Sequence, residues 1–170
     1  MLVSRALTSR LGHVPDAGTL GKALDIFARS YRGNLFVSTV VYPGVESTLE
    51  SLSTRGVRLG CVTNKLEAFA VEVLERAGLG RWMDFVFGAD THERKKPDPL
   101  PLIRAAEGYS VDPTRAVMVG DSVNDLKAAL AAGFHFVFAR YGYADPDDPS
   151  LQGEWTAIDE FGELERLLSE

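Results

Sequence analysis

The chain has 170 residues, 45% hydrophobic and 25% charged, which is enough apolar material for a core and is not the composition of a disordered segment. With 24 acids against 18 bases the net charge is −6, which argues against nucleic acid as a partner. No apolar run approaches the roughly 18 residues of a membrane helix, and a single cysteine, Cys61, excludes an internal disulfide and a cysteine-built zinc site, so a cytoplasmic chain with no membrane contact is expected.

Residues 1–15, MLVSRALTSRLGHVP, hold Arg5 and Arg10 and no acid. That is the composition of a mitochondrial presequence, and equally of an amphipathic helix with Leu2, Ala6, Leu7 and Leu11 at helical spacing. Gly12 to Gly18 form a break, and Thr19 to Arg32 form a second helical pattern with Leu20, Leu24, Phe27 and Tyr31 on one stripe. Asn34 to Val41 is short, apolar and β-branched. Pro43-Gly44 turns into a helix at Val45 to Ser53. Val57 to Val62 reads as a strand buried on both faces. A helix at Glu67 to Ala77 follows, with Gly78 as its stop. Phe85 to Phe87 is a short strand. Arg94 to Pro101 is a basic, proline-rich loop, and Pro101 suits the first turn of a helix to about Glu107. Ala116 to Gly120 is a buried strand, Ser122 caps a helix to Ala132, and Phe134 to Ala139 is another strand. Tyr141 to Gly153 is a polar loop, and Asp159 is placed to cap a last helix carrying Phe161, Leu164 and Leu168. Trp155 is a candidate cover for the sheet edge.

Alternating strand and helix from Val57 to Ala139 predicts a parallel sheet with helices on both faces. The ligand site of such a sheet lies beyond the carboxyl ends of its strands. Three polar groups stand there. Thr63-Asn64-Lys65 offers a hydroxyl, an amide and backbone N–H groups for a phosphate oxygen, or is a plain Thr-Asn turn. Lys95-Lys96-Pro97-Asp98-Pro99 holds a lysine in a stiffened loop, where it can neutralise an anion, or is a solvated basic turn. Gly120-Asp121-Ser122-Val123-Asn124-Asp125 sets two carboxylates four residues apart on one helical face. Two hard oxygen donors beside an anion suit Mg²⁺, although one such acid is also ordinary cap chemistry. Together, Thr, then Lys, then paired Asp form a phosphate-and-magnesium constellation. A response-regulator receiver has its acidic pair first, so the order here excludes it.

These residues resemble the haloacid dehalogenase-like hydrolases, most closely the phosphoglycolate phosphatase branch with a helical cap. Val62-Thr63-Asn64-Lys65 matches the family's second motif, Lys96 with Pro97 and Pro99 the third, and Gly120 to Asp125 the fourth; Tyr141-Gly142-Tyr143 resembles the loop after the last core strand. The resemblance implies an α/β, Rossmann-like parallel sheet with flanking helices over residues 42–170 and a partial helical cap over 1–41. It implies a magnesium-dependent phosphomonoesterase acting through an aspartyl-phosphate on a small phosphorylated metabolite such as 2-phosphoglycolate. Thr63 and Asn64 would bind phosphate. Lys96 would hold nucleophile and phosphate in register. Asp121 would ligate Mg²⁺, and Asp125 would join the metal site through its water or through Lys96.

One motif is absent. The family's first, an apolar strand ending in Asp-x-Asp-Gly-Thr, carries the attacking aspartate and forms the middle of the sheet. The nearest string, Asp16-Ala17-Gly18-Thr19-Leu20, is one residue short, lacks the second acid and follows a Gly- and Pro-containing stretch unsuited to a central strand. It reads as a loop and helix cap. The sheet should then lack its first, central strand, leaving two unpaired edges. The chain reads as a truncated phosphatase, inactive or nearly so, with two alternatives: a non-catalytic phosphate- or Mg²⁺-binding remnant, or one half of a split enzyme whose partner is a separate N-terminal fragment. His13, His92 and His135 are scattered without metal-ligand spacing.

Overall fold

The computed structural model describes residues 2–145, 148–151, 153 and 155–169. It divides into two compact units, Met1–Val40 and Val41–Glu170.

The first unit is a helical pair. Helix α1 (Leu2–Leu11) packs on α2 (Ala17–Asn34). Asp16 is the N-cap of α2: its Oδ1 accepts the Thr19 N–H at 2.9 Å and its Oδ2 the Thr19 hydroxyl at 2.7 Å. These bonds favour the charged carboxylate and lower its pKa. The Asp-Ala-Gly-Thr string is therefore a helix cap, as its local pattern predicts. The β-branched stretch after α2 turns instead of extending, with Val37 N–H bonded to Asn34 O.

The second unit is α/β. After α3 (Val45–Thr54) come β1 (Gly60–Val62), α4 (Glu67–Arg76), β2 (Phe85–Phe87), α5 (Leu100–Gly108), β3 (Val117–Gly120), α6 (Val123–Ala132), β4 (His135–Ala139), β5 (Thr156–Ile158) and α7 (Glu163–Leu167). The ladders form two separate parallel sheets, β1–β2 and β3–β4–β5. In β3–β4–β5 alternate residues serve opposite faces. Phe136 and Phe138 pack with Leu102 of α5, with Leu126, Ala128 and Ala129 of α6, and with Leu151. Val137 and Ile158 face the other way, onto Leu164 of α7. Trp155 meets Phe136 edge-on at 6.3 Å, so it covers part of this core.

Several expectations change. Val57 to Val62 gives only a three-residue strand, with Gly60 exposed and Cys61 and Val62 half-buried, because β2 is its sole ladder partner among the described residues. Strand β5 falls between the expected polar loop and the expected last helix, in a stretch for which the sequence pattern predicts no element. Asp159 does not cap α7. Instead Glu163 Oε1 accepts the backbone N–H groups of Asp159 (2.8 Å) and Glu160 (3.0 Å). Within the expected polar loop, residues 146, 147 and 152 lie outside the described ones.

Candidate functional site

Both half-sheets end at one pocket of about 340 Å³. Val62, Thr63 and Asn64 line one side; Met118, Val119, Gly120, Asp121, Ser122, Asn124 and Asp125 line the other; Lys96 also contributes. The carboxyl ends of β1 and β3 open into the same space. Val62 and Met118 also pack against the same apolar cluster. Yet no ladder joins β1 to β3 among the described residues.

Side chains cross the gap instead. The Lys96 ammonium donates to the backbone carbonyl of Val62 at the end of β1, and it pairs with Asp125 Oδ1 of α6 at 2.6 Å. Both partners are buried, Lys96 at 6% and Asp125 at 7% exposure. Asn64 secures the lysine loop from the β1 side, its Nδ2 donating to Lys96 O at 2.9 Å. Asp125 is fully engaged. Its Oδ2 accepts the Ser122 hydroxyl (2.6 Å) and the Ser122 N–H (3.1 Å), and Ser122 Oγ accepts the Asp125 N–H, a reciprocal cap at the start of α6. Gly120 makes this geometry possible. A Cβ there would stand 2.7 Å from Asp125 Cγ and 2.8 Å from Oδ2, so strand end and helix start meet only without a side chain.

Thr63 donates its N–H to Phe87 O (2.9 Å), extending the ladder by one residue. Its hydroxyl oxygen accepts the Lys65 N–H at 3.2 Å and retains a proton that can be given to an anion. Asp121 stands at the tip of β3, and its Oδ2 accepts the Tyr143 N–H at 2.7 Å. The pocket thus gathers Thr63, Asn64, Lys96, Asp121 and Asp125. Nearby, burial raises the Cys61 thiol above its usual range, against the opposing field of Lys96.

The matched residues carry one formal positive charge, Lys96, and two negative, Asp121 and Asp125. Among the described residues no three His, Cys, Asp or Glu side chains cluster as a metal-binding group. Magnesium commonly takes one or two carboxylates and completes its shell with water and phosphate oxygens. Asp121, with one oxygen bonded to an amide, meets that sparse requirement. Asp125 is engaged on both oxygens, by Lys96 and by Ser122.

Sequence reasoning did not anticipate the Val62 carbonyl as an acceptor for Lys96, the reciprocal use of Ser122 by Asp125, or the Tyr143 amide on Asp121. The Tyr-Gly-Tyr string at the end of β4 was a signal for the last of these.

A family model for haloacid dehalogenase-like hydrolases matches residues 5–139. The chain belongs to that family. It is similar to a phosphoglycolate phosphatase of Nitrosospira multiformis, 44% identical over 147 residues, covering 86% of this chain and 65% of the relative. It is also similar to a phosphoglycolate phosphatase of Nitrosococcus oceani, 37% identical over 169 residues, covering 99% of this chain and 75% of the relative. The chain therefore spans about two thirds to three quarters of these relatives. Among solved structures, one described as a predicted phosphoglycolate phosphatase from Haemophilus somnus superposes with a TM-score of 0.83 at 26% identity, over 96% of this chain and 73% of that one. Among the described residues no helix is long and apolar enough to cross a membrane.

Proposed function

We infer that this chain is the phosphate- and magnesium-binding part of a phosphomonoester hydrolase acting on a small acidic phosphate such as 2-phosphoglycolate in the cytoplasm. The observation that carries the reading is the convergence of Thr63, Asn64, Lys96, Asp121 and Asp125 on one pocket at the carboxyl ends of two strands. The names of the relatives support the substrate class.

The charge balance supports a cation. With two carboxylates against one ammonium, the pocket repels a phosphate dianion until a divalent cation reverses its sign. When bound, Mg²⁺ offsets the negative charge that crowds the phosphoryl group. Asp121 is the residue that would hold it. Thr63 would donate its hydroxyl to a phosphate oxygen, and Asn64 would add its backbone N–H. Lys96, fixed by Asp125 and by the Val62 carbonyl, sits in a pre-set position, and phosphoryl transfer depends chiefly on positioning and charge neutralisation.

Covalent transfer needs an attacking carboxylate. This sequence holds no Asp-x-Asp-Gly-Thr, and Asp16 is engaged as the cap of α2. In this reading the chain binds phosphate and turns nothing over. A second reading, half of a split enzyme, rests on the absence of a ladder between β1 and β3 among the described residues.

Calorimetry with inorganic phosphate, with and without Mg²⁺, together with a p-nitrophenyl phosphate assay, tests the reading. The expected result is a saturable heat that requires Mg²⁺, and no turnover. No heat above dilution would refute the pocket. Turnover by this chain would refute the account of the missing nucleophile. Under the split reading, a separately made strand segment ending in Asp-x-Asp-Gly-Thr restores turnover; under the remnant reading it does not.

A further inference from the structure

What holds Asp121 comes from the neighbouring strand. Just past the end of β4 the chain turns, the Gly142 N–H donating to Ala139 O at 3.1 Å. The next amide, Tyr143 N–H, then donates to Asp121 Oδ2 at 2.7 Å. The Tyr143 side chain is 95% exposed, so this residue gives the site its backbone and not its ring. The turn presses so closely on the acid that no side chain can stand at position 142. A Cβ there would lie 2.7 Å from Asp121 Cγ and closer still to its Cβ and Oδ2. On the near side, Tyr141 anchors the turn, meeting Tyr42 edge-on at 5.0 Å.

We propose that the Gly142–Tyr143 turn is the positioning element for Asp121: the Tyr143 amide holds Oδ2 and the absent side chain at 142 admits that amide, so the other carboxylate oxygen is presented to a divalent cation. The proposal rests on the reading of Asp121 as the residue that holds Mg²⁺. Its physical basis is the strength of an N–H bond to a charged oxygen, which removes rotational freedom from a ligand that would otherwise lose it on binding. Hydrogen-bond partners of metal ligands commonly set affinity by about 10- to 100-fold.

The test is a Mg²⁺ titration, by calorimetry, of the wild type, Gly142→Ala, Tyr143→Pro and Tyr143→Phe, with the Tyr143 amide followed by NMR. Gly142→Ala displaces the amide, and Tyr143→Pro deletes it while leaving Gly142 in place. Both are expected to bind Mg²⁺ about tenfold or more weakly. Tyr143→Phe keeps the amide and restores wild-type affinity. Equal affinity in all four proteins overturns the proposal and leaves Asp121 a ligand. If the wild type shows no saturable binding, the reading of Asp121 fails and the proposal falls with it. The hydrogen bond has its own readout: Asp121→Asn shifts the Tyr143 amide resonance, and an unmoved resonance means the bond does not exist in solution, which also overturns the proposal.

Discussion

In the β3–β4–β5 half-sheet the strands run four, five and three residues, and β4 is buried from Phe136 to Ala139 between two apolar clusters. In the β1–β2 half each strand has three residues and none is fully buried. Both halves deliver polar residues to one pocket, but by different means. The first fixes Asp121 and Asp125 through a ladder, packed faces and a capped helix. The second fixes Thr63 through one ladder and reaches across the gap through Lys96 and Asn64. Where backbone pairing is absent, a buried ion pair and shared apolar packing link the halves.

The largest expected effect comes from breaking that link. Lys96→Met leaves Asp125 buried without its cation, a loss of about 3–5 kcal/mol. Hydrogen exchange should show β1 and β2 amides losing protection ahead of those in β4. Equal loss in both halves would mean that the ion pair does not register them. A smaller effect sharpens the same contrast. Ser122→Ala removes the N-cap of α6 and one partner of Asp125, for about 0.5–2 kcal/mol. Urea unfolding should register the loss, while relative protection of β1 and β2 stays as in the wild type; a selective loss there would mean that the Ser122 cap also supports the β1–β2 half.

The smallest effect is confined to high pH. The Tyr141 phenol is raised from 10.0 to about 12, so the folded state keeps a proton that the unfolded chain releases first. Its contribution is complete below pH 10 and disappears as pH rises through 12. Tyr141→Phe should therefore flatten the fall in stability across that window relative to wild type, as measured by urea midpoints on either side of pH 10. Identical slopes would place Tyr141 in solvent.

Local signals were readable where short-range chemistry decides. Phe85 to Phe87 is the strand that its apolar run predicts, Ser122 caps the helix it precedes, and Gly78, at φ 72°, follows the end of α4. The order of Thr63, Lys96 and the Asp121/Asp125 pair, set after strands or strand–helix units, anticipated that these residues line one pocket. Partnership within the site was less readable. Lys96 and Asp125 are 29 positions apart, and only the tertiary approach of α6 to the lysine loop pairs them. Strand β5 escaped because Thr156-Ala157-Ile158 has no run of its own; its register against Val137, Phe138 and Ala139 makes it a strand. At α7 the glutamate inside the helix reaches back to the entry, a role the spacing from Asp159 disguised.

The contact between Gly120 and the first turn of α6 has a bearing on engineering. A library that randomises the pocket wall should leave position 120 untouched, since every alternative residue collides with Asp125 before it can meet a ligand. Diversity belongs instead at the Tyr143 ring, which lies almost wholly in solvent and which any residue except proline can replace while keeping the amide on Asp121.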